Sequence, residues 1–182
     1  MMPDPATADL LVRWTARLAI GAYLVRAGWD LSTIGDRDEP LSRSRLALAV
    51  RWTWTVGWLI YLVHVVLAFV LIHHGSHAEA WRHVADETER LTGFRSGAGL
   101  VLDHLVTVLW TFDVAMWWRD PGWPRTRQAR WLLHPFFGFM AFNATVVFGP
   151  PGWRLVAVVC GVAVGVWGAC RAFRSSRTDG NV

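Results

Sequence analysis

Residues 52–73, WTWTVGWLIYLVHVVLAFVLIH, form an apolar run of 22 residues in which His64 is the only ionisable side chain before the last position. At 1.5 Å per residue, a helix of this length crosses a hydrocarbon core of roughly 30 Å. The run therefore predicts a membrane-spanning helix.

Three further apolar runs predict spans at residues 97–118, 131–148 and 152–172. The run 97–118 closes with Trp117 and Trp118, a pair typical of the aromatic belt at a membrane surface. Gly149-Pro150-Pro151 joins the last two runs, and such a short connection is typical of a helical hairpin. Gly161, Gly165 and Gly168 stand in the last run at spacings that let helices approach closely in lipid, although such spacing is often incidental in glycine-rich sequence.

The N-terminal segment 10–28 has two interpretations. Arg13, Arg17 and Arg26 leave only residues 18–25 uncharged, so the segment either spans with its arginines reaching the surface or lies in the interface as an amphipathic helix. The fold class is therefore predicted as an all-α integral membrane protein. We expect one membrane domain over residues 1–182, a bundle of four to five transmembrane helices with a short amphipathic helix in the outer loop.

The composition supports a membrane class. Hydrophobic residues make up 53% of the chain, charged residues only 18%, and there are thirteen tryptophans. All eighteen basic residues are arginines and stand mostly at the ends of apolar runs, which indicates the lipid bilayer as partner and no nucleic acid. Cys160 and Cys170 lie ten residues apart in one predicted helix, too far to pair.

The arginine distribution predicts the orientation. With five spans, twelve arginines fall on one side and six on the other; with four spans the split is fourteen to four. The positive-inside rule then places the loop 74–96 outside the cytoplasm in both cases. Loops 29–51 and 119–130 and the C-terminus are expected in the cytoplasm of a multi-pass cell-membrane protein.

Five of the seven histidines fall between His64 and His83. His73, His74 and His77 have the spacing that lets imidazoles on one helical face share a metal ion. The H-H-x-x-H order is similar to the histidine boxes of membrane di-iron desaturases and hydroxylases. Those boxes recur and face the cytoplasm, so the sequence does not place the chain in that family.

Ser76 followed by Glu79 forms a capping box, which predicts a helix over 77–92 that ends at Gly93. Its polar face carries Glu79, His83, Glu87 and Arg90. These residues form either a ligand set or a solvated stripe of ion pairs, and the spacing favours the stripe for His83 and the acids.

Ionisable residues within the predicted spans mark a second set of candidates. His64 and His104 lie at matched depths, as axial ligation of a b-type haem requires, and Asp103 is beside them. A structural alternative is that His64 bonds across the bundle to Asp103, Asn143 or a tyrosine. Asp113 either belongs to a proton relay or forms a structural salt bridge, and we favour the bridge, with His134 or an arginine as its partner.

Two functional hypotheses follow. The first is a small metalloprotein, redox-active or not, that binds Fe, Cu or Zn, or less favourably haem b. Its candidate metal ligands are His64, His73, His74, His77, Glu79, His83 and His104. The second is a non-enzymatic scaffold that associates with other membrane subunits or with further copies of itself. The sequence contains no phosphate-binding loop, nucleophile elbow or zincin motif, which weakens an enzymatic hypothesis. Enzyme activity stays open, because membrane oxidases and di-iron enzymes need only histidines and carboxylates.

Overall fold

The computed structural model describes residues 3–33, 45–147, 149 and the isolated positions 152, 155, 158, 159, 161, 162, 165 and 166. Over these residues the regular structure is helical, without strands, which confirms the all-α class. The helices are α1 (Pro5–Ser32), α2 (Arg45–Leu67), α3 (His77–Thr92), α4 (Ala98–Arg119) and α5 (Arg127–Phe142). Shorter segments are two π-helical turns, Ala68–Ile72 and Asn143–Val147, and a 3-10 turn, Trp123–Arg125.

Within the described residues, two helical stretches are long and apolar enough to cross a membrane. One is α2 together with the π turn that continues it, Arg45–Ile72, and the other is α4, Ala98–Arg119. The first begins seven residues before the predicted run, so residues 45–51 belong to a helix and not to a loop. Arg51 therefore lies within α2. Its guanidinium lies over the ring of Trp118, 4.6 Å from the ring centroid.

Helix α1 is longer than predicted at both ends. Asp4 caps it, because a carboxylate oxygen accepts a hydrogen bond from the Thr7 backbone N–H at 2.9 Å. Pro5 occupies the first helical position, where its missing N–H costs nothing. This Asp-Pro start signal lies before the apolar run, so hydropathy alone places the start too late.

The chain divides into two compact units, and unit 1 comprises Met1–Arg26 and Ser42–Trp123. In it, α1 and α4 both run antiparallel to α2. A Cβ added to Gly57 would overlap the side chain of Ala22, so the backbones of α1 and α2 are in close approach there. Trp54 and Trp110, 1% and 2% exposed, stack at 4.4 Å and form the centre of this unit.

Unit 2 comprises Ala27–Leu41 and Pro124–Val182. Its helix α5 begins four residues before the predicted run 131–148, because Thr126 caps it by accepting from the Ala129 N–H at 3.2 Å. His134 of α5 and the buried Asp30 of α1 pair at 3.0 Å. The predicted run 152–172 falls mostly outside the described residues.

Candidate functional site

A cavity of about 310 Å³ lies in unit 1 among α2, α3 and α4. Its polar lining includes Tyr61, His64, His73, His77, Asp103 and His104. Four of the seven histidines, contributed by α2, α3, α4 and the segment after the π turn, thus line one space together with a carboxylate.

The π turn Ala68–Ile72 explains how His64 and His73 reach the same cavity. Nine residues make two and a half turns of an ideal α-helix, which would place these two side chains on opposite sides. A π turn has its hydrogen bonds one residue wider, so it changes the angular position of everything after it. Its last bond joins the His73 N–H to the Ala68 carbonyl at 3.1 Å.

A tight turn then returns the chain so that His77 also faces the cavity. His74 and Gly75 both have positive φ, 48° and 73°. Ser76 caps α3 by accepting from the Glu79 N–H at 3.3 Å, and Gly93 ends the helix in the left-handed conformation. The bounds of α3 are those that the capping box and Gly93 predict.

The seven predicted ligands divide into two groups. His64, His73, His77 and His104 line the cavity, where the rings of His77 and His104 lie 6.0 Å apart. The remaining three, His74, Glu79 and His83, are not among the residues that line it. Of these, His74 Nδ1 pairs with the Glu79 carboxylate at 3.2 Å, and the ring of His83 lies 5.3 Å from that of His73.

In the part of the chain that the structure describes, no three histidine, cysteine, aspartate or glutamate side chains are already arranged to hold a metal ion. The cavity therefore brings potential ligands together without orienting their donor atoms on one point.

The hydrogen bonds of His64 differ from those predicted. Its Nδ1 lies 3.0 Å from the Val12 carbonyl and 3.3 Å from the Thr15 hydroxyl, both on α1. The predicted partner Asn143 instead donates to the carbonyl of Phe139. Because its Nδ1 is held by α1, His64 has its other ring nitrogen available for a ligand.

Asp103 and Tyr61 form the wall of the cavity where α2 meets α4. The Tyr61 hydroxyl donates to the backbone carbonyl of Asp103 at 2.8 Å and lies 3.3 Å from the Thr107 hydroxyl. Among the described residues, no hydrogen bond to the Asp103 carboxylate is found. That carboxylate is thus a free acceptor on the cavity wall.

The polar face of α3 behaves as a solvated stripe at Glu87 and Arg90. Their side chains pair at 2.7 Å, where Arg90 is largely exposed and Glu87 partly exposed. The hydrogen bond from Arg90 holds the pKa of Glu87 below its usual value.

His73 lies at the cavity and directly follows Ile72, the last residue of the candidate span. Partial burial and the neighbouring His83 lower the pKa of His73. His73 is therefore neutral, and able to bind a metal, over a wider pH range.

Asp113 is itself buried and belongs to a separate cluster. Its carboxylate accepts from Arg26 at 3.1 Å, from Trp54 Nε1 at 2.8 Å and from Trp123 Nε1 at 2.6 Å. The guanidinium of Arg26 lies 4.2 Å from the ring centroid of Trp117. The predicted salt bridge is present, and of its two predicted partners the arginine forms it, whereas His134 pairs with Asp30.

Comparisons of the chain with protein-family models, with curated proteins and with solved structures give no match. The functional argument therefore rests on the residues themselves. Tyr61 is not among the candidate site residues predicted from the sequence. Its spacing of three residues from His64 places both side chains on one face of a helix, and this could have identified it.

Proposed function

We propose that the protein is a multi-span membrane protein that binds a transition-metal cation in an outward-facing cavity. One observation carries the proposal: His64, His73, His77 and His104 line a single cavity with Asp103. Imidazole and carboxylate donors without thiolate suit Fe, Cu or Zn.

The packing of α1 supports more spans than the two described helices that are long and apolar enough to cross a membrane. Along α2, α1 contacts His64 through Thr15, Gly57 through Ala22 and Trp54 through Arg26. These contacts extend over ten residues of α2, about 15 Å, and reverse in order, so α1 lies lengthwise beside a span. An interfacial helix would cross it instead. We assign α1 as a span, which makes five with the runs 131–148 and 152–172.

The arginine count supports the orientation. With five spans, twelve of the eighteen arginines lie on the side opposite to the loop 74–96. The positive-inside rule places that loop, and with it His73 and His77, outside the cytoplasm.

The cavity size favours a metal ion over haem. A volume of about 310 Å³ is at the lower end of the range for small-molecule pockets, roughly 300–1,000 Å³. That volume accommodates an ion with water or a small co-ligand more readily than a macrocycle. Because the donor atoms do not yet converge, binding requires the imidazoles to rotate about their side-chain torsions.

The test compares two double variants of the detergent-purified protein by elemental analysis, visible spectroscopy and metal titration. His77→Ala with His104→Ala removes two cavity imidazoles, and His74→Ala with His83→Ala removes two that do not line the cavity. We expect near one equivalent of Fe, Cu or Zn in the wild type and in the second variant. The first variant should bind the metal at least about tenfold more weakly, since each lost ligand removes a coordinate bond.

Two outcomes contradict the proposal. Metal lost only from His74→Ala with His83→Ala would move the site to the surface of α3. A wild type that takes up none of the three metals would leave a membrane scaffold as the function.

A further inference from the structure

Arg51 lies toward the start of α2, while the cavity residues Tyr61 and His64 lie toward its end. It forms a cluster with Trp52, Thr55 and Trp118, referred to here as the Arg51 cluster. The guanidinium lies 4.6 Å from the ring centroid of Trp118. Trp118 Nε1 donates to the Thr55 hydroxyl at 3.0 Å, and the ring of Trp52 meets that of Trp118 edge-on at 5.0 Å. These contacts fix the position of the arginine between α2 and α4.

Within the described residues, no carboxylate pairs with Arg51, and its buried Nε has no hydrogen-bond partner. A buried donor without an acceptor is costly, by about 1–3 kcal/mol. Arg26, a buried arginine of this unit that also lies against tryptophans, has Asp113 as its counter-ion. Among the described residues, Arg51 therefore has no counter-ion, and a bound anion would supply one.

The surroundings of Arg51 are those of a membrane surface. Trp52 and Trp118 are 53% and 40% exposed, and tryptophans that close an apolar helix typically lie at the headgroup level. Arg51 is six residues, or about 9 Å, from the start of α2 at Arg45. We therefore expect an anion that reaches Arg51 between these two rings to come from the surrounding lipid.

We propose that the Arg51 cluster binds the phosphate of an anionic phospholipid headgroup. The planar guanidinium fork matches two phosphate oxygens, and the guanidinium of Arg51 is held over the ring of Trp118 with no carboxylate partner among the described residues. The surplus of arginines on this side further attracts anionic lipid. The inference shares with the proposed function only the placement of α2 and α4 in a bilayer, and it does not depend on any metal.

The experiment uses full-length protein, delipidated in a neutral detergent, and measures ligand affinity from the rise in thermal unfolding midpoint. The probes are phosphatidylglycerol, phosphatidylcholine and inorganic phosphate at equal phosphorus concentration. Arg51→Gln removes the guanidinium, and Arg82→Gln is the matched control, since Arg82 is exposed on α3 and also lacks a carboxylate partner among the described residues.

We expect phosphatidylglycerol to stabilise the wild type and Arg82→Gln equally, and to bind Arg51→Gln about fivefold more weakly, the effect of one arginine near a lipid surface. Phosphatidylcholine and inorganic phosphate should stabilise the wild type less. Equal phosphatidylglycerol affinity in Arg51→Gln and wild type would overturn the site. Equal stabilisation by inorganic phosphate would overturn the lipid assignment in favour of a soluble anion.

Arg51→Lys keeps the test decisive if Arg51→Gln does not fold. Lysine retains the charge but has neither the fork nor the flat surface that stacks on Trp118. Weaker phosphatidylglycerol binding in this variant supports the guanidinium contact, and unchanged binding contradicts it.

Discussion

Asp113 shows at the scale of single residues how a charge is accommodated inside an apolar helix. Its side chain is 2% exposed and that of Arg26 is 1% exposed, so neither charge is compensated by water. Removing one partner of such a pair takes away the nearest counter-charge of the other buried group. We expect Asp113→Asn, which keeps the shape but not the charge, to destabilise the protein by about 3–5 kcal/mol in detergent.

The control for Asp113→Asn is the double variant with Arg26→Met. Because methionine removes the buried guanidinium that Asp113 neutralises in the wild type, the double variant should recover part of the lost unfolding midpoint. A thermal unfolding curve of Asp113→Asn that matches the wild type would contradict a stabilising role for the pair.

Asp113 also shows which features of the structure the sequence does not predict. A carboxylate in an apolar run predicts a buried partner, and of the two alternatives, His134 and an arginine, the structure has the arginine. Its identity was not accessible, because Arg26 is 87 residues away and belongs to a segment whose own arginines argued against a span. The sequence likewise predicts only part of the cavity. The hydropathy pattern identifies His64 and His104 as candidates, but it does not predict that α1 forms the hydrogen bonds to His64.

At the scale of elements, the close approach of α1 and α2 depends on Gly57. A Cβ there would overlap Ala22, whereas a Cβ at Gly21 of α1 would meet no described atom within 4 Å. We expect Gly57→Ala to lower stability by about 1–3 kcal/mol through overpacking. Gly21→Ala should change it by no more than about 1 kcal/mol, in the stabilising direction, because alanine is the better helix former. Equal unfolding midpoints for the two variants would contradict the close contact.

The cap of α3 gives the second prediction at this scale. Ser76→Ala removes the acceptor of the Glu79 N–H and should cost about 1 kcal/mol, while Ser76→Asp, which caps equally well, should not. Hydrogen exchange of the first turn of α3 measures the effect, and protection should fall only in the alanine variant. Unchanged protection in Ser76→Ala would show that packing on α4 alone holds that turn.

Elements differ in how well the sequence predicts them. The bounds of α3 follow from local signals, Ser76 at one end and Gly93 at the other. The π turn Ala68–Ile72 has no such signal, because its apolar residues fit an α-helix equally well, yet it is what places His73 in the cavity. A Cβ added to Gly161 or Gly165 would meet no described atom within 4 Å, and Gly168 lies outside the described residues, so the close approach of that helix stays a prediction.

At the scale of the whole molecule, the proposed orientation places α3 and the loop after α4 on opposite sides of the membrane. The test replaces Cys160 and Cys170 by serine and introduces one cysteine at either Arg82 or Pro121, both exposed positions. A membrane-impermeant thiol reagent applied to intact cells or spheroplasts should label Arg82→Cys. Pro121→Cys should react only after the membrane is permeabilised, because arginine-rich loops stay in the cytoplasm.

This labelling also shows from which side of the membrane the proposed metal ion could enter the cavity. His73 and His77 border the loop that carries Arg82, so labelling at Arg82 places their end of the cavity at the outer surface. The reverse pattern, with Pro121→Cys labelled in intact cells, would invert the molecule. The metal would then come from the cytoplasm, and Arg51 would meet the outer leaflet. Labelling of both positions before permeabilisation would mean that α4 does not cross the bilayer, and the five-span architecture would be wrong.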